Sequence, residues 1–300
     1  MILPDRKSIQ IGLLLAMAVS VSAFFLYNRN RPEDGIFDEM AAFRHISALE
    51  AIGPRVPNSD AHQKARDYIA GNLTESGWVV TEQTFTYNNI TGTNIIASIG
   101  KPGGILLAAH YDSRMVADKE SDPAKAILPV PGANDGASGT AILLELANCI
   151  QMENNNIQLV FFDLEDQGNI PGWNWILGSR AFVDKMSVSP TKMVLLDMVG
   201  AKDALFYYEV NSNEAVSTEI WETAHQLGYR NNFIKAEKFS VLDDHIPFVE
   251  RGIPAVDIIG LDDPNWHTLA DTKENISTST LKAVGNTVCH WVNNTATQVP

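Results

Sequence analysis

The apolar positions fall into two kinds of pattern. Phe37 to Leu49 and Asp60 to Glu75 carry apolar side chains at helical spacing, and Gly53-Pro54 breaks the chain between them. Val79 to Tyr87 and Thr93 to Ile99 read as strands and predict an antiparallel pair. Beyond them, short continuous apolar runs alternate with amphipathic stretches. Ile105 to Ala109, Ile157 to Phe162, Met193 to Leu196, Leu205 to Val210 and Ala255 to Ile259 are such runs. Strands buried on both faces look like this. Asp135 to Met152, Ala215 to Leu227 and Ser279 to Val292 read as helices. Strands alternating with helices predict an α/β sandwich with a largely parallel central sheet.

The N-terminus has a pattern of its own. Ser8 to Asn28 has no charged side chain, and Ile11 to Tyr27 is apolar apart from Gly12, Ser20 and Ser22. As a helix this run is about 26 Å long, enough for a thin bilayer. Arg6 and Lys7 before it and small residues at Val21-Ser22-Ala23 also fit a cleavable signal peptide. Phe24-Phe25-Leu26-Tyr27 continues the run past that site and favours an uncleaved anchor. The predicted organisation is therefore a membrane anchor or signal peptide over 1–28, a linker over 29–35 and a catalytic domain over 36–300. Either reading puts that domain outside the cytoplasm, anchored to the membrane or secreted if the segment is cleaved. The membrane would be met through this segment only.

Composition narrows the chemistry. Of 300 residues 45% are hydrophobic, which excludes wholesale disorder. With 36 acidic and 22 basic side chains the net charge is -14, which argues against a nucleic-acid binder. Cys149 and Cys289 are too few to build a cysteine metal site; they are read as buried thiols, a disulfide being open to an exported chain. Any metal must be held by His and carboxylates.

Those residues gather at strand ends. His110 and Asp112 close the Ile105 run, Asp135 opens the next helix, and Asp163, Glu165 and Asp166 close the Ile157 run. Asp197 closes the Met193 run, and His267 follows the Ala255 run. Ligands of open α/β sheets bind beyond the carboxyl ends of the strands. Solvated loop charges would explain one such end, but not several with two histidines among them. His110 and Asp112 are two apart in extended chain, so Asp112 is placed to orient the His110 ring. Glu165 and Asp166 are adjacent, which suits a general base beside a ligand. A donor set of nitrogen and oxygen alone suits catalytic zinc. No Walker loop, dinucleotide fingerprint, HExxH or GxSxG elbow competes. His45, His62, His225 and His290 lie on helices and read as surface or packing residues.

His110-Tyr111-Asp112, Gly132-Ala133-Asn134-Asp135, Asp163-Leu164-Glu165-Asp166, Leu196-Asp197 and Trp266-His267-Thr268 resemble the family-28 metallopeptidases, zinc aminopeptidases and their relatives. The resemblance runs from about Ile36 to the C-terminus. It implies a three-layer sandwich with a mixed sheet of about eight strands. It implies one zinc on Asp135, Asp166 and His267, and a second on His110 and Asp197 with Asp135 bridging. Glu165 falls on the general acid/base. Asp243-Asp244-His245-Ile246-Pro247-Phe248, Leu177-Gly178-Ser179-Arg180 and Trp266 are further similar to the glutaminyl-peptide cyclotransferases. In that branch one zinc is used, the position of Asp243 joins those of Glu165 and Asp197 in a proton-shuttling network, and Trp266 would wall the pocket. His245 adjoins that network. Asp166 and Asp257 depart from the animal cyclases, which have Glu and His there.

Two activities follow from the resemblance, both on peptides or proteins with a free N-terminus. A cyclase with one zinc would convert N-terminal glutamine to pyroglutamate and release ammonia. An aminopeptidase with two zincs would hydrolyse the first peptide bond. A non-catalytic ectodomain is a third reading, against which stands the survival of every ligand type and the base.

Overall fold

A computed structural model describes residues 36–151 and 156–296. The expected anchor or signal segment, 1–28, and the linker, 29–35, lie outside the described residues. Among the described residues no helix is long and apolar enough to cross a membrane.

Two helices open the domain, α1 (Glu39–Ile52) and α2 (Asp60–Glu75). Asp38 and Ser59 cap them by accepting from backbone N–H groups of the first turn. The strands β1 (Val79–Tyr87) and β2 (Ile90–Ile99) form the expected antiparallel pair. Asn88 and Asn89, both at positive φ, make the two-residue turn whose twist matches the strands. There follow β3 (Ile105–His110), the short α3 (Pro123–Ala126), α4 (Ala137–Cys149), β4 (Ile157–Phe162), α5 (Leu177–Lys185) and β5 (Lys192–Asp197). The C-terminal part holds β6 (Phe206–Glu209), α6 (Glu214–Gln226), β7 (Phe233–Phe239), α7 (Ile246–Glu250), β8 (Ala255–Ile259), a 3-10 turn (Lys273–Asn275) and α8 (Thr278–Ala296).

The main sheet has six strands in the order β1-β2-β4-β3-β5-β8, with β4, β3, β5 and β8 parallel. Side chains alternate across it. Leu107, Ala109, Leu159, Phe161, Val194 and Leu196 enter one core with α1, α4 and α8. Leu106, Ala108, Val160, Phe162, Met193 and Leu195 enter the other, against Phe182 of α5 and Phe248 of α7. Strands filled on both faces explain the unbroken apolar runs. The layers are helices, sheet, helices.

Among the described residues the main sheet has six strands, not the eight expected. β6 and β7 pair with each other in a separate two-stranded sheet. In β6 only Phe206 and Glu209 are buried, so its apolar run is half solvated. β7 is mostly exposed and carries Lys235, Glu237 and Lys238 on alternate faces, which hides it from an apolar-run reading. The helix expected from Asp135 begins at Ala137. Gly136, at φ 89, leaves helical space, and a Cβ there would collide with the carbonyl oxygen of Asp112. Cys149 and Cys289 are not thiols: they form a disulfide that joins the end of α4 to α8.

The strand order places a topological switch between β3 and β5. The chain leaves β3 toward β4 on one side and later returns to β5 on the other. His110 ends β3 and Asp197 ends β5, so both border the crevice that such a reversal opens.

The first helix is tied to this core through a buried acid. Glu145 of α4 is 3% exposed and accepts from the Asp38 amide at 3.3 Å and from Asn148 at 3.4 Å. Burial pushes its carboxyl up to about 7. A raised carboxyl value means the folded chain prefers the protonated form. The contribution of Glu145 to stability is thus greatest below about 4.5, falls as pH rises toward 7, and levels off above. Glu145→Gln should remove that slope and be about 2 kcal/mol more stable than the parent at pH 8. Urea unfolding of both proteins at pH 5 and pH 8 checks this, and an unchanged pH difference would count against it.

Candidate metal and acid–base site

The strand ends do converge. His110 Nε2 lies 3.0 Å from Asp135 Oδ1 and 3.2 Å from Asp197 Oδ1. His267 Nε2 lies 3.1 Å from Asp166 Oδ1 and 3.6 Å from Asp135 Oδ2. Two groups therefore have donor atoms close enough for an ion: His110 with Asp135 and Asp197, and Asp135 with Asp166 and His267. Asp135 belongs to both and turns one oxygen toward each imidazole. All five side chains are buried. Donors about 2.0–2.1 Å from a tetrahedral ion sit about 3.3 Å from one another, which is the spacing seen here. Asp166 Oδ2 is buried and without a hydrogen-bond partner, a further sign that the set fits a cation.

Local backbone aims these groups. Leu164, Met198 and His267 adopt positive φ immediately after or within the strand-end loops. At Leu164, φ 56, the chain leaves the line of β4 and enters a turn that begins at Asp166. Asp166 meets His267, and both line the pocket with Glu165. Gly139 lets α4 lie against the end of β5, where a Cβ would overlap the Leu196 carbonyl. Asp112 Oδ1 faces His110 Nδ1 at 3.5 Å. It also accepts from the amides of Glu165 and Asp166, at 3.1 and 3.3 Å, and from Gln167 Nε2 at 3.0 Å.

A pocket of about 250 Å³ opens over these groups. Glu165, Asp197, Asp243 and Trp266 line it, with Trp175, Leu242 and Ile259 among the apolar walls. Burial lifts Glu165 well above its usual range; His110 opposes this, and the charges of Asp243 and Asp166 add to it. Burial and then the Asp197 charge push Asp243 up to about 7. Asp197 is raised by burial despite its His110 hydrogen bond. Asp135 moves the other way: burial raises it, but His110 and His267 together hold it below the usual value. His245 lies behind the pocket, buried, 3.0 Å from Glu209 and 3.9 Å from Asp257.

Several contributors carry no local signal in the sequence. Arg55 is fully buried and donates to the carbonyls of Tyr111, Pro131, Gly132 and Asp135. Asp271 accepts from the amides of Asn134 and Asp135, and burial followed by the Asp135 charge pushes it up to about 8. His62, expected at the surface, is 5% exposed and pairs with Asp163 at 2.7 Å. Asp163 does not reach the pocket; it also accepts from Thr93 and Leu164 amides and fixes the start of the carboxylate loop.

The sequence pattern of Peptidase family M28 matches residues 94–292. A glutaminyl-peptide cyclotransferase of Boiga irregularis is 28% identical over 277 residues, covering 76% of this chain and 73% of its own. Among solved structures, the glutaminyl cyclase of Tannerella forsythia aligns with a TM-score of 0.80 at 38% identity, over 86% of this chain and 99% of that one. A Zn-dependent exopeptidase of Parabacteroides distasonis aligns at 0.82 with 35% identity, over 86% and 99%.

The buried guanidinium of Arg55 gives a direct test of how the site is braced. Arg55→Met leaves buried carbonyls unpaired and removes the positive charge facing Asp271, Asp112 and Asp135. It should cost about 3–5 kcal/mol in urea unfolding, with no change of slope. Arg55→Lys should not restore it, because an ammonium cannot reproduce the planar fork. A loss under about 1 kcal/mol in Arg55→Met would show that the loop is held by other contacts.

Proposed function

The chain belongs to peptidase family M28, and within that family we propose that it is a zinc-dependent glutaminyl cyclase, converting N-terminal glutamine of peptides to pyroglutamate. The observation that carries this reading is Asp243. It stands in the same small pocket as Glu165 and Asp197, and burial raises all three, with the Asp243 charge adding at Glu165 and the Asp197 charge adding at Asp243. Crowded carboxyls of this kind hold a proton in common. Cyclisation needs such a group, because one proton must leave an amine and reach a departing nitrogen a short way off.

Asp135, Asp166 and His267 would hold the zinc, which when bound would polarise the side-chain amide carbonyl of the substrate. The free α-amine attacks the carbonyl carbon, forming the ring C–N bond. Glu165 takes the amine proton and returns it to the side-chain nitrogen, whose bond to carbon breaks to release ammonia. Asp197 and Asp243 hold Glu165 in a protonation range that allows both transfers. Trp266 walls the pocket, and Asp112 fixes both the His110 ring and the backbone beneath Glu165. The excess of acidic side chains favours a substrate that carries a free amine. The reading includes an extracytoplasmic domain over 36–300 behind an export segment at 1–28. The Cys149–Cys289 disulfide supports that location, since disulfides persist in oxidising compartments.

A second reading, a zinc aminopeptidase, is favoured by the bridging posture of Asp135, whose two oxygens face different imidazoles. There His110 and Asp197 would join Asp135 around a second zinc, and Glu165 would take its proton from an attacking water.

Incubation with a glutamine-initiated dipeptide, followed by mass spectrometry, separates the two. The expected product is lighter by one ammonia, with one zinc per chain by metal analysis. Glu165→Gln should lower kcat by about 10²–10⁴-fold. Release of a free N-terminal residue with no ammonia, and two zincs per chain, would sink the cyclase reading.

A further inference from the structure

His267 has unusual support. It lies in the connection after β8, outside any regular element, at φ 58, which is costly for a residue with a Cβ. Three consecutive residues of the loop after β3 grip the segment His267–Leu269, two of them at His267 itself. Asp118 Oδ1 lies 3.1 Å from His267 Nδ1. The Lys119 amide donates to the His267 carbonyl at 3.2 Å, and the Leu269 amide donates to Glu120 Oε1 at 3.0 Å. The loop is itself closed by Ala117 donating to Leu128 and Val130 donating to Arg114, at 2.8 and 3.0 Å.

Arg114 anchors the grip. Its Nε and one terminal nitrogen donate to the two oxygens of Asp118 at 3.0 and 2.7 Å. Its other terminal nitrogen donates to the Asp166 carbonyl at 3.1 Å and to Asp166 Oδ1 at 3.3 Å. The guanidinium lies 5.0 Å from the ring of Trp175, which stacks on His267 at 6.1 Å and 15°. One Arg–Asp pair thus touches both His267 and Asp166 from outside the pocket.

The chemical consequence concerns the tautomer. Nε2 of His267 is free to bind an ion only when the ring proton sits on Nδ1. A carboxylate at Nδ1 holds the proton there, fixes the ring plane and raises the basicity of Nε2. We propose that Asp118, locked by Arg114, is a positioning residue that orients His267 and thereby sets the affinity for zinc. The proposal rests on the reading of Asp135, Asp166 and His267 as a zinc site. Asp118 does not line the pocket, and its side chain is 40% exposed, so its removal opens no core.

Zinc affinity of the full chain, measured by competition with a chelator, tests it. Asp118→Ala should bind zinc about 10–100-fold more weakly than the parent. Asp118→Asn, whose amide oxygen can sit against Nδ1 as the carboxylate does, should recover part of the loss. The absorption bands of the cobalt-substituted protein should shift in Asp118→Ala, a change that the lost stability expected from unpairing the buried Arg114 would not by itself produce. Glu120→Ala releases Leu269 but leaves the partner of Nδ1 in place, and should change zinc affinity less than threefold. Asp118→Ala binding within twofold of the parent, or Glu120→Ala losing as much as Asp118→Ala, would overturn the positioning role alone. A parent protein that binds no zinc would overturn the metal reading and the proposal with it.

Discussion

The site is organised around an electrostatic conflict. Asp135, Asp166 and Asp197 meet in a space almost closed to water, with Glu165, Asp243 and Asp112 close behind. Like charges stripped of water repel strongly and cannot all stay ionised without compensation. Two imidazoles supply part of it, and the donor spacing leaves room for a cation to supply the rest. A fold that concentrates acids in this way must hold them by force, because each would otherwise move apart or turn to solvent.

The force comes from buried charges bonded to backbone. Asp112 takes the amides of Glu165 and Asp166, and Asp271 takes those of Asn134 and Asp135. Arg55 takes carbonyls of residues 111, 131, 132 and 135, and Arg114 takes those of residues 166 and 168. Anions hold N–H groups and guanidinium groups hold carbonyls. The loops that carry Asp135, Glu165 and Asp166 are thereby pinned through their backbones, with no regular ladder to do so. Beneath them, parallel strands packed on both faces give an unyielding base, and the switch between β3 and β5 opens the crevice where the loops meet.

This division explains what was legible in the sequence. The parallel strands show as apolar runs because both faces are filled, and the acids that end those runs announce themselves by position. His110, Asp135, Asp166, Asp197 and His267 were found that way, and they do meet. Of the braces only Asp112 shows in the sequence, two places after His110. Arg55 is separated from its acceptors by 56 to 80 residues, so no local spacing marks it. His62 looked like a surface residue because its helix is polar overall, yet its face of α2 turns toward Asp163. Asp118 sits in a charged, Pro-containing loop whose composition resembles any solvated connection. β6 and β7 failed as members of the main sheet for a related reason. Their partners are each other, and one exposed face leaves no strong pattern.

The two chemistries proposed for this scaffold would ask the same of Glu165, namely to take one proton and return it. They differ in what attacks. In hydrolysis the attacking group is water, which must have a place beside the carbonyl. In cyclisation it is the substrate's own amine, and water is better kept out. The walls of the pocket bear on that difference. Trp175, Trp266, Val241, Leu242, Ile259 and Leu261 surround the acids with apolar surface, and Leu242 stands 51% exposed at the rim. A glutamine side chain seated against these walls would displace the water near the carbonyl and leave the tethered amine as the nearest nucleophile. Tethering also replaces a bimolecular encounter by an intramolecular one, which favours ring closure. In the proposed function the acids would make reaction feasible, and the apolar walls would choose which one.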